Sequence, residues 1–192
     1  MMRQSLTITL AILAICTLGV MGAAAQDVFK VNYFANNGVA GAPDATVRVN
    51  NPGTSNGNLC AMVYVFENDQ QLSECCGCIT TPDGLRTFSV LNDLTNNPLT
   101  GQIPNNGDIK IVSAALNNSP CDPSANVTPT PTLRAWATHI QNKVGRVYYP
   151  TTETEFSDAT LSAGELANLQ ADCYFIGRLG SGHGICTCGT GD

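Results

Sequence analysis

The chain has 192 residues, of which nine are basic and fifteen acidic, for a formal net charge of −6. That balance repels phosphate backbones and acidic lipid headgroups, which excludes nucleic acid and anionic membranes as charge-matched partners. Nine cysteines in a chain of this length point to an oxidising compartment.

Arg3 supplies a short basic region, Leu6 to Val20 an apolar stretch, and Ala23-Ala24-Ala25 the small side chains a signal peptidase accepts. Residues 1–25 are therefore predicted to be a cleaved secretory signal peptide, with Gln26 first in the mature chain. The apolar stretch is about 15 residues, short of the roughly 20 that a membrane-crossing helix needs. No membrane insertion is expected after cleavage. Cys16 follows Ile15, where a lipoprotein signal carries a small side chain, so lipid anchoring is not expected either. Residues 26–192 make one domain of ordinary length. Loss of Arg3 leaves eight basic against fifteen acidic residues.

The mature region is rich in Asn, Thr and Gly, and Asn37-Gly38, Asn56-Gly57, Asp83-Gly84 and Asn106-Gly107 punctuate it with residues that tolerate positive φ. The segments between them suit strands: 28–34, 45–50, 59–66, 72–80, 85–91, 108–115, 132–140 and 147–156, most enriched in β-branched or aromatic residues. About eight strands with this punctuation predict an all-β fold, an antiparallel β-sandwich of Ig-like or similar type. Four prolines between Pro120 and Thr132 mark an extended crossing between the sheets. One short C-terminal helix is predicted where Ser162 and Glu165 form a capping box and Leu166, Leu169, Cys173 and Ile176 share a face, with Gly177 as its stop. Beyond it, Gly180-Ser181-Gly182-His183-Gly184 reads as a turn into a short strand at 185–188, a disulfide-linked tail.

Eight cysteines follow the signal region: Cys60, Cys75, Cys76, Cys78, Cys121, Cys173, Cys186 and Cys188. An even number in an oxidising compartment predicts up to four disulfides, with about 105 pairings open. If Asn68-Asp69-Gln70 is the loop of the hairpin between the third and fourth strands, Cys60 faces Cys78, which makes Cys60–Cys78 the favoured bridge. Cys75 then points to the opposite face from Cys76 and Cys78, toward Cys121, Cys173 or the Cys186/Cys188 pair.

Cys75, Cys76, Cys78, His183, Cys186 and Cys188 are outside candidates for a metal site, but spacings of C-C and C-x-C fit structural zinc poorly. A thiol-redox role for the same cluster is likewise disfavoured, because Cys76 interrupts the Cys75-to-Cys78 spacing. There is no G-x-S-x-G or H-E-x-x-H motif, and the two histidines, His139 and His183, read as a core-edge side chain and a solvated turn residue. Glu153 and Glu155 alternate onto one strand face, where a solvated edge that resists aggregation is the simpler reading than a glycosidase pair. No catalytic residue and no cofactor is expected.

The runs T-E-T-E-F-S, L-S-A-G-E-L and G-S-G-H-G-I-C-T-C-G, with Y-V-F and C-C-G-C upstream, resemble a group of uncharacterised exported bacterial cysteine-rich β-proteins. The resemblance implies secretion and a disulfide-linked fold, and no activity. The leading expectation is a secreted or cell-surface, non-enzymatic structural or interaction protein whose partner is an unknown protein or glycan, or a second copy through a donated strand at 26–34. The alternative is a carbohydrate- or peptide-binding domain that stacks its ligand on Trp136, Tyr148 and Tyr149.

Overall fold

The computed structural model describes residues 26–125, 127–146 and 148–191, and the signal-peptide reading of 1–25 lies outside them. Ten strands and one long helix follow in chain order: β1 (Phe29–Phe34), β2 (Thr46–Asn50), β3 (Leu59–Glu67), β4 (Leu72–Thr80), β5 (Leu85–Ser89), β6 (Gly107–Ala115), β7 (Thr128–Pro129), β8 (Arg134–Ile140), β9 (Thr151–Glu155), β10 (Ser157–Ala159) and α1 (Ala163–Arg178). They form two antiparallel sheets, one in the order β10-β1-β6-β3-β4 with β7 beside β6, the other β5-β2-β8-β9. The predicted sandwich, helix and linked tail are all present.

The period-2 pattern explains the layers. Ala61, Val63, Val65, Ile109 and Ile111 of the larger sheet meet Val47, Val49, Phe88, Ala135 and Ala137 of the smaller one in a core between the sheets. The alternate residues of the larger sheet, among them Phe29, Cys60, Met62, Tyr64 and Val112, form a second core on its outer face, closed by Leu169, Cys173 and Ile176 of α1. A strand buried on both faces needs apolar residues at nearly every position, and β3 reads L-C-A-M-V-Y-V for that reason. The helix begins where predicted: the Ser162 hydroxyl accepts the Glu165 N–H at 3.0 Å. Ser162→Ala is expected to cost about 1 kcal/mol, read as a lowered urea midpoint with unchanged slope. Gly177 does not stop the helix, which runs one residue further and ends before Gly180 in a left-handed conformation.

The prolines of 120–132 do carry the chain from one sheet to the other, crossing the outer face of the larger sheet on the way. The Tyr64 hydroxyl donates to Pro123 C=O at 2.7 Å, and Cys121 is bonded to Cys60. Gly77 of the C-C-G-C run lies beneath this crossing, where a Cβ would come within 2.0 Å of the Cys121 carbonyl oxygen. Three of the four turn dipeptides place a residue at positive φ: Gly38, Asn56 and Asp83. The fourth does not, because Gly107 opens β6 and its missing Cβ admits the Phe66 carbonyl.

The four disulfides are Cys60–Cys121, Cys75–Cys173, Cys76–Cys186 and Cys78–Cys188. The favoured Cys60–Cys78 bridge is therefore corrected. Phe66 faces Leu72, as a loop of 68–70 demands, but Val65 faces Glu74, so Ser73 is an extra residue in β4 and every later pair shifts by one. Cys60 now opposes Ile79, and the shift turns it away from Cys78 to the outer face. The inference about Cys75 holds: it lies in the outer core and joins α1, whereas Cys76 and Cys78 lie in the intersheet core.

The tail after α1 clasps both sheets. Beside β4, Cys75 N–H donates to Gly184 C=O at 2.9 Å and Cys186 N–H to Cys75 C=O at 3.3 Å; beside β5, Thr87 and Thr190 exchange bonds of 2.8 and 2.9 Å. The tail thus covers the outer edges of β4 and β5, which lie on one side of the sandwich. On the opposite side the chain turns the corner directly from β9 to β10 at the buried Phe156. The first strand is not free for donation, since β1 pairs with β6 along its whole length and with β10 over Phe29 to Val31. That corrects the expectation of a donated segment at 26–34.

Candidate functional site

On the helix-bearing side a groove of about 680 Å³ lies between α1, the β3–β4 hairpin loop and the ends of β1 and β6. Its floor comes from strand register. Tyr33, Asp108 and Phe66 are direct neighbours on β1, β6 and β3, and Tyr33 lies past the stretch of β1 that β10 covers, at the open edge of the sheet. One row inward lies Lys110, whose ammonium sits 2.7 Å from Glu165 and 4.7 Å from the centre of the Phe66 ring. The helix forms the wall with Glu165, Asn168 and Asp172, and the hairpin contributes Glu67, Asn68 and Gln70 to the rim. Glu67 accepts the Thr100 hydroxyl at 3.0 Å. Tyr33 is 49% exposed and is backed by the His139 ring, with centroids 4.2 Å apart.

His139 is buried and its Nε2 lies 2.6 Å from Thr154 Oγ1, while Nδ1 has no hydrogen bond. Burial lowers its pKa below the usual 6.5, with the Tyr33 backbone opposing that shift. The folded chain therefore prefers neutral imidazole, and the unfolded chain takes up the proton as pH falls through 6.5. The associated stability is present above that pH and is lost on acidification. The melting temperature of His139→Gln is expected to gain on the parent's as pH falls below 6.5, a difference a pH series of thermal melts resolves.

The ligand-stacking candidates do not form one platform. Trp136 projects, half-buried, from the outer face of the smaller sheet, opposite Arg48 and Glu155. Tyr149 packs against the intersheet core with Lys143 over its ring, and Tyr148 is 57% exposed in the loop between β8 and β9. The expected strand over 147–156 begins only at Thr151, after Pro150. Glu153 and Glu155 lie on the edge strand β9 and pair with Arg48 at 3.1 Å and Arg134 at 3.3 Å, which matches a solvated edge. His183 is exposed in its glycine turn. The metal and redox candidates Cys75, Cys76, Cys78, Cys186 and Cys188 are all consumed in disulfides. Among the described residues no group of three His, Cys, Asp or Glu side chains is placed to hold a metal ion.

Sequence reasoning singled out Glu165, Asn68, Gln70 and Asn106 for capping, loop and turn roles, and none of the groove residues as a binding residue. The Glu165, Asn168, Asp172 spacing is readable as one helix face, but Tyr33, Asp108 and Phe66 come together only through pairing of strands far apart in the chain.

The fold and bonding define a disulfide-stabilised two-sheet protein of the kind found in oxidising, extracytoplasmic surroundings. Among the described residues no helix is long and apolar enough to cross a membrane. Comparisons with protein-family models, with curated proteins and with solved structures return no match.

Proposed function

We propose that the protein is exported and acts outside the cytoplasm as a non-enzymatic interaction module. One observation carries this reading: four disulfides join α1, the crossing segment and the tail to the larger sheet, and Cys75–Cys173 among them holds the helix that walls the outer-face groove. A framework that immobilises a surface lowers the entropy lost when a ligand binds it. Of the acid–base groups near that surface, Glu165 is paired with Lys110, Glu67 with Thr100 and His139 with Thr154, which leaves the exposed carboxylates of Asp108 and Asp172.

The test is expression from the chain's own first residue, followed by N-terminal sequencing and intact mass. The expected product lies outside the cytoplasm, begins at Gln26 and has a mass eight hydrogens below its reduced form. Retention in the cytoplasm, or a mass with free thiols, sinks the reading.

A further inference from the structure

The groups left free in the groove are specific in chemistry. Its one cation, Lys110, is already held by Glu165 and Phe66. What remains without an internal hydrogen bond or ion pair includes the amides of Asn106 and Asn168 and the carboxylates of Asp108 and Asp172, set against the rings of Tyr33 and Phe66. A planar amide presents a donor and an acceptor side by side, and a carboxylate presents two acceptors. Adjacent hydroxyls on a sugar ring offer the matching pairs, and the ring's C–H face packs on an aromatic surface. Asp108 and Asp172 repel phosphate, sulfate and uronate groups. A strongly cationic ligand would leave the two free amides unused.

From these observations we propose that the groove between α1 and the outer face of the larger sheet is a binding site for a neutral saccharide, with Tyr33 as the stacking surface and Asp108, Asn168 and Asp172 as hydroxyl partners. The volume, about 680 Å³, lies within the usual span of small-molecule sites. The stacking surface is pre-set, because His139 already fixes one side of the Tyr33 ring. The helix-borne groups are equally fixed, since α1 is tied to β4 by Cys75–Cys173. This assignment rests on the interaction-module reading and adds the class of ligand and the place where it binds.

The test uses the oxidised, exported protein, labelled for amide NMR and titrated with neutral oligosaccharides built from hexoses, pentoses and N-acetylhexosamines. A uronate oligomer and a lysine-rich peptide are titrated in parallel. The expected result is saturable shifts at Tyr33, Asp108, Asn168 and Asp172 with at least one neutral sugar and none with the uronate. Asn168→Ala with Asp172→Ala, both on the exposed helix face, is expected to weaken that binding by roughly tenfold or more at an unchanged melting temperature. Tyr33→Ala is expected to remove the stacking and weaken it further.

The assignment is overturned if no neutral sugar gives saturable shifts at millimolar concentration, if the shifts map to Trp136 instead, or if only the lysine-rich peptide binds. It is also overturned if the helix-face double variant binds as tightly as the parent. These failures are separable from failure of the broader reading: a protein that is exported with four disulfides but ignores the sugars loses only its ligand class.

Discussion

Removing both tail disulfides is expected to destabilise the oxidised protein by about 5 kcal/mol, whereas removing either alone costs about 2 kcal/mol. Cys76–Cys186 and Cys78–Cys188 each span 110 residues, so each taken alone would suggest a large loop-closure term. The two bridges are parallel, however, and while one stands the other closes only the few residues between neighbouring cysteines. With both gone, Cys75–Cys173 still holds α1 to β4, and the freed loop is the tail alone. Urea unfolding of Cys78→Ala with Cys188→Ala, of Cys76→Ala with Cys186→Ala, and of all four changes together checks the arithmetic. If each pair alone costs as much as the four changes together, the shared-loop account is wrong. The fourfold variant is also expected to associate with rising concentration, because release of the tail uncovers the polar edges of β4 and β5.

Much of this framework was legible in the sequence. The even cysteine count, the alternation in β3 and β4 and the S-x-x-E box foretold the disulfides, the split of Cys75 from Cys76 and Cys78, and the start of α1. The pairing of Cys60 was not legible, because it turns on a single extra residue, Ser73, that the chain carries at no distinctive sequence signal. The loop guess was sound at Phe66 and Leu72 and failed two residues on. The candidate site was hidden for a related reason. Tyr33, Phe66 and Asp108 come from strands whose neighbours are fixed by topology rather than by chain order, and an outward-facing aromatic at a strand end carries no mark of its own. Trp136 drew attention as the single tryptophan, yet its strand places it on the opposite side of the molecule from the groove.

Glu74 is expected to give the protein an alkaline limb of instability. Its side chain lies on the same face of β4 as Cys76 and Cys78 and is fully buried. One oxygen accepts the Asn97 N–H at 2.9 Å, and the other has no partner. Desolvation raises its pKa from 4.5 to about 8, and the Asn97 bond offsets only part of that. A carboxyl with a raised folded pKa is protonated in the folded chain while the unfolded chain has already lost the proton. Stability is therefore highest below pH 4.5 on this group's account and falls as pH rises to about 8, by on the order of 5 kcal/mol in total. His139 acts in the opposite sense below pH 6.5, where the two slopes offset each other, so the decline due to Glu74 shows most plainly between pH 6.5 and about 8. Glu74→Gln keeps an acceptor for Asn97 and carries no charge, so its denaturant midpoint is expected to stay level where the parent's declines, and to exceed the parent's above pH 8. The effect reaches the tail as well. Asn97 accepts the Gly184 N–H through its carbonyl and donates its amide to Gly182, so ionisation of Glu74 loosens the glycine turn ahead of Cys186. Amide exchange at Gly184 is expected to quicken with rising pH beyond the intrinsic chemical rate in the parent and to follow that rate in Glu74→Gln. Equal behaviour in the two proteins would detach the carboxyl from the turn.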